Sequence, residues 1–179
     1  LVVGFNRMGE AFVVQAARMA HYANGKKLCV TVVDTNLADK REAFLARYPE
    51  IYQIADLSFT DESAFDRKLH EEIRTCSNDR NQMLTIAVCL EDERKSFALS
   101  QSLPEEVYER GVPVLVRFPI SSCLSTVIRR SSRKNVRGFG SIPVGGALGV
   151  FPAEGIWRFG QVVHEWRLQK ALKGGATRG

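Results

Sequence analysis

The residues best suited to chemistry stand near the start of the chain, in the run VVGFNRMGEAF. Gly4 closes a short apolar strand, Gly9 opens a stretch of helical periodicity, and Asp34 ends the next apolar strand about two dozen residues later. A diphosphate needs those types in those places. The first glycine makes a tight turn, small residues let backbone N–H groups approach the phosphates, and the last glycine permits helix-on-strand packing, while the helix N-terminus presents free N–H groups to an anion. Asp34 is then placed to accept hydrogen bonds from an adenosine ribose and to repel a 2′-phosphate. That favours NAD(H), or an adenine nucleotide such as AMP, ADP or ATP, over NADP. The middle glycine of the pattern is replaced by Asn6, which tolerates positive φ but fills room that a pyrophosphate uses. The loop therefore reads either as a nucleotide site or as a vacated phosphate loop in a retained fold.

Other candidates have two readings each. Arg7, inside the loop beside Met8, is a bidentate phosphate clamp or a solvated charge. Arg117 follows four apolar residues at the carboxyl end of a strand, where open α/β sheets bind ligands; the alternative is an ion pair with Glu91 or Asp92. Asp56, by position, is a turn or helix-entry residue. Glu91, Asp92 and Glu93 complement a helix dipole, and Ser121-Ser122 after Pro119 read as an N-cap. His21 and His70 have no partner at metal spacing, and Phe12 and Met19 read as core. Cys29, Cys76, Cys89 and Cys123 are far apart with no CxxC pair, so they read as reduced core thiols in a cytoplasmic protein.

The elements that must position these residues follow from periodicity. Strands are expected at Val2–Gly4, Leu28–Asp34, Ile51–Ala55, Met83–Leu90 and Val112–Phe118. Helices are expected at Gly9–Ala23, Leu37–Tyr48, Asp61–Thr75 and Glu91–Arg110, the last broken at Pro104. Alternation at this pace means right-handed βαβ crossovers and an α/β domain built on a doubly wound parallel sheet of five or six strands, over residues 1–140. Residues 141–179 then form a Gly- and Pro-rich linker and a helix at Glu154–Leu172, with a short edge strand at Val136–Phe139 before them. Leu1-Val2-Val3 reads as the middle of a strand, as in a fragment.

At 179 residues, 45% hydrophobic and 25% charged, the composition is that of an ordinary globular domain and excludes a disordered or fibrous chain. No apolar run approaches the roughly 18 residues of a membrane span. The charge is divided: residues 1–116 carry 14 Lys/Arg against 18 Asp/Glu, and residues 117–179 carry 11 against 2. The basic run Arg129, Arg130, Arg133, Lys134, Arg137 lacks a stacking pattern or nucleic-acid motif, so a solvated linker or a surface for an acidic partner is the better reading than nucleic acid. No group of residues forms a nucleophile–base pair or a positioned acid/base. A dehydrogenase would also need a substrate domain, for which the tail leaves little chain.

The runs VVGFNRMGEAFVVQAA, TVVDTN, IADLSFTD, LTIAVCLEDERKSFALS and VPVLVR together resemble the TrkA-N or RCK domain, the nucleotide-binding regulatory module of bacterial potassium transporters and channels. The likeness covers roughly Leu1 to Arg130. It implies a ligand-sensing Rossmann domain that binds NAD(H) or adenine nucleotides, pairs as a homodimer, and passes a conformational change to a membrane transport protein or a fused downstream domain. On this resemblance Gly4, Asn6, Arg7, Met8 and Gly9 form the phosphate loop, Asp34 takes the ribose, and Ala55-Asp56 replace a Gly-Asp pair near the adenine. The tail FGQVVHEWRLQKALKGG is similar to the opening of a ryanodine-receptor repeat, a likeness carried by His164, Glu165 and Trp166.

Overall fold

The computed structural model describes residues 1–19, 27–79, 82–119 and 123–141. Six strands form one all-parallel sheet in the order β3-β2-β1-β4-β5-β6: β1 Val2–Val3, β2 Leu28–Asp34, β3 Ala55–Asp61, β4 Ile86–Val88, β5 Val114–Pro119 and β6 Val136–Ser141. Helices α1 (Arg7–Met19), α2 (Leu37–Arg47) and the single turn α3 (Ile51–Ile54) pack on one face. Helices α4 (Arg67–Asn78), α5 (Glu93–Ser102), α6 (Glu105–Glu109) and α7 (Cys123–Arg130) belong to the other. This is a Rossmann-like doubly wound fold.

Two cores follow from the pleat, because successive strand residues point to opposite faces. Val2, Val32 and Ala87 join the core of Phe5, Val13, Leu37, Phe44 and Ile51. Their neighbours Val3, Val33 and Val88 join Leu69, Ile73, Leu99, Val116 and Ile128 on the far side. The register aligns Val2 with both Val32 and Ala87, so β1 is flanked on both edges and both faces.

Helix boundaries have local causes. Asp66 caps α4 by accepting the Lys68 N–H at 2.8 Å, and Asp92 caps α5 by accepting those of Arg94 and Lys95 at 2.8 and 3.2 Å. Pro104 separates α5 from α6, as its place in the sequence predicts.

Several expectations are corrected. Ile51–Ile54 is a helical turn, and the third strand is Ala55–Asp61, whose buried Ala55 and partly covered Leu57 and Phe59 alternate with polar Asp56, Ser58 and Thr60. The following helix accordingly begins at Arg67 rather than Asp61. Helix α1 starts at Arg7, so Gly9 is its third residue instead of its opening. The fourth strand is only three residues long. Met19, expected in the core, is 45% exposed. Of the four cysteines only Cys89 is buried; Cys29 and Cys123 are exposed and Cys76 is intermediate. The expected linker and helix at 142–179, His21 and the Ser121-Ser122 cap lie outside the described residues, and no described helix is long and apolar enough to cross a membrane.

Candidate functional site

After β3 the chain crosses to the other side of β1, so β1 and β4 lie side by side while their following helices depart to opposite faces. A crevice at the carboxyl ends of the strands follows from that divergence. Gly4 stands at its floor with φ of +95°. A Cβ there would lie 2.8 Å from the carbonyl carbon and oxygen of Cys89. The glycine is thus required by the close approach of β4, with or without a phosphate. Gly9 is required too, since its Cβ would run into the Gly4 carbonyl oxygen.

Between these glycines the loop is held by side chains. Phe5 turns into the core at 1% exposure, and its N–H donates to Asp34 Oδ2 at 2.7 Å. Asn6 Oδ1 accepts the N–H groups of Met8 and Gly9 at 3.0 and 3.2 Å, capping α1, while Asn6 Nδ2 donates to the Cys89 carbonyl at 2.6 Å. Arg7 is exposed. Gly4, Asn6, Arg7, Met8, Gly9 and Asp34 are therefore gathered at one place.

Asp34 is well occupied by its own protein. Oδ1 accepts the Thr35 N–H at 2.8 Å, and Oδ2 receives, besides Phe5, the Lys40 ammonium at 2.6 Å. Lys40 was missed in the sequence, although its place on the first turns of α2 could have revealed it. Asp61 was missed as well. It ends β3 in register with Asp34 and accepts the N–H groups of Asn36 and Leu37 at 3.1 and 3.3 Å, capping α2 where Asn36 itself adopts φ of 55°.

Arg117 lies at the same end of the sheet. Its Nη1 donates to the Leu90 carbonyl at 3.3 Å, in place of the expected ion pair with Glu91 or Asp92, and its Nε is buried without a partner. Asp56 is not brought to this place: it is the second residue of β3, paired with Cys29 near the start of β2, at the amino-terminal ends of the strands and so at the end of the sheet opposite the crevice. The acid that the third strand contributes at the crevice end is Asp61.

Cys89 lies between the loop and Arg117. Burial pushes its thiol up to about 12, against the opposing pull of the Arg117 charge. The thiol stays protonated at neutral pH and packs as a small apolar group. A thiol reagent at pH 8 is expected to label Cys29 and Cys123 in the native protein and Cys89 only after unfolding; labelling of native Cys89 at a comparable rate would contradict this packing.

Part of the basic run has an internal use. The Arg133 guanidinium stacks 3.7 Å from the Tyr108 ring centroid and donates to the Gln101 carbonyl at 2.9 Å. Arg130, Lys134 and Arg137 are exposed.

In comparisons with known proteins, no family model, curated protein or solved structure matches this chain.

Proposed function

We propose that this chain is a regulatory domain that binds NAD(H) or another adenine nucleotide and signals by conformational change, as TrkA-N domains of potassium transport systems do. In this reading it acts in the cytoplasm as a homodimer and passes its signal to a membrane transport protein or a fused downstream domain. The observation that carries the reading is the bond from the Phe5 N–H to Asp34 at 2.7 Å, which ties the glycine turn of β1 to the acid ending β2 at the point where the strand order reverses. Phosphate-binding and ribose-binding groups are wanted at that spacing. Arg117 supplies a cation at the same end of the sheet.

The test is a calorimetric and thermal-shift panel of NAD, NADH, NADP, AMP, ADP and ATP. NAD(H) or ADP at about 100 times its Kd should stabilise the fold by about 2.7 kcal/mol. NADP should not, because its 2′-phosphate meets the Asp34 carboxylate; equal stabilisation by NADP would overturn the role given to Asp34. Asp34→Ala should weaken NAD binding by about 1 to 3 kcal/mol, the cost of an unmade hydrogen bond to a charged group.

A second reading is a pairing module with an empty pocket. It draws support from the same loop, since Asn6 takes N–H groups that a pyrophosphate would use and Lys40 takes a carboxylate oxygen that a ribose would use. Its signature is a flat response to every nucleotide in the panel. An NAD-dependent oxidoreductase fragment would instead reveal itself by hydride transfer.

A further inference from the structure

One side chain joins the two halves of the crevice. The Asn6 carboxamide is engaged on both sides: Oδ1 receives two N–H groups from the first turn of α1, and Nδ2 reaches across to the Cys89 carbonyl, 83 positions away in the chain. The two N–H groups are among those a helix leaves unsatisfied at its start, where an anion is favoured. A neutral carboxamide oxygen therefore takes N–H groups at a point where an anion would be favoured.

A competition follows. Bonds from N–H to a charged oxygen are roughly twice as strong as bonds to a neutral one, so a phosphate brought to this turn would compete with the carboxamide for α1. The side chain is fixed at its Cα, and Oδ1 and Nδ2 belong to one rigid planar group. Once Oδ1 swings away from Met8 and Gly9, Nδ2 cannot keep its aim on Cys89.

What is released at Cys89 is the start of a short connection. The Leu90 carbonyl accepts from Arg117 Nη1 at 3.3 Å and from Ser96 Oγ at 3.4 Å, and Asp92 caps α5. The segment from Cys89 to Asp92 thus runs from the hold of Asn6 directly to the N-terminus of α5, on the face of the sheet opposite α1.

We propose that Asn6 is an autoinhibitory stand-in for a ligand phosphate, and that exchange of one for the other frees the Cys89 carbonyl and reports occupancy of the loop to the β4–α5 connection. This rests on the nucleotide-binding reading and adds to it a route by which binding is transmitted. Ligand affinity and looseness of the β4–α5 connection are coupled through one side chain.

The experiment is amide hydrogen exchange on peptides covering residues 86–96, with NADH as the probe, together with NADH titration calorimetry. Saturating NADH should speed exchange at Cys89–Asp92 about fivefold in the wild type, the effect of one lost hydrogen bond. Asn6→Asp keeps an acceptor for the α1 cap but removes the donor to Cys89, so without ligand it should show the same faster exchange. Asn6→Gly removes the competitor and should bind NADH about fivefold more tightly. NADH binding with unchanged exchange at Cys89–Asp92, or unliganded Asn6→Asp exchanging as the wild type does, would overturn the relay and leave the nucleotide reading intact. Weaker binding by Asn6→Gly would make Asn6 a ligand contact and overturn its autoinhibitory role. Binding of no nucleotide at all would overturn both.

Discussion

Gly9→Ala should lower the stability of the domain by more than about 3 kcal/mol, in the range reserved for severe backbone and core lesions. The added methyl runs into the Gly4 carbonyl oxygen, which is backbone and cannot rotate aside. Relief requires α1 to lift from β1, and that movement breaks both Asn6 bonds to α1 and unpacks Val13 and Ala17, which are 0% and 1% exposed. Gly111→Ala is the control. Gly111 also has positive φ, +64°, but a Cβ there meets nothing within 4 Å, so only the left-handed backbone cost of about 1 to 2 kcal/mol applies. Urea denaturation of the two variants separates close approach from conformational strain. Equal losses would show that the contact between Gly9 and Gly4 relaxes freely, against the packing described.

Phe44→Ala should cost about 3 to 5 kcal/mol, the usual loss for a buried phenylalanine. Phe44 is 0% exposed on α2, with its ring centroid 5.1 Å from that of Phe5 and 6.3 Å from that of Phe59, both edge-on. The cavity would open directly beneath the loop. Phe5 carries the N–H that ties β1 to Asp34, so nucleotide affinity should fall along with stability. Denaturation and NADH titration of one preparation check both. A loss of stability below about 1 kcal/mol would mean that the aromatic cluster does not support the loop.

Much of the layered architecture was readable from apolar runs. Ile86–Val88 and Val114–Phe118 are continuous in apolar character, apart from Arg117, because central parallel strands are covered on both faces. The third strand was misplaced for a related reason. Ile51-Tyr52-Gln53-Ile54 has the residue types of a strand, whereas Ala55–Asp61, at the sheet edge, is covered only in alternation. Placing the strand too early put Asp56 at the crevice end and left Asp61 unnoticed. Gly4, Gly9 and Asp34 could be picked out because turns and strand ends leave local marks in sequence. The use made of Asn6 could not, since its partner Cys89 is brought to it only by the β1–β4 pairing. Nor could the commitment of Arg133 to Tyr108, which removes one cation from an apparently solvated run.

The position of β1 in the sheet also bears on how the chain acquires its shape. Val2 and Val3 come first among the strands yet sit in the middle, and their second partner, Ala87–Val88, follows only after two neighbouring strands and four helices have been made. During synthesis β1 can pair with β2, and β2 with β3, as a small half-sheet, with one side of β1 open until β4 emerges. Long-range parallel pairing of this kind is slow because loop closure precedes its reward. Docking of β4 against Leu1 and Val3, through the bonds of Ala87 and Cys89 at 2.9 and 2.7 Å, joins the β3-β2-β1 half of the sheet to the β4-β5-β6 half. The seam between those halves, whose pairing spans the longest stretch of chain that β1 must wait for, is the one across which Asn6 reaches.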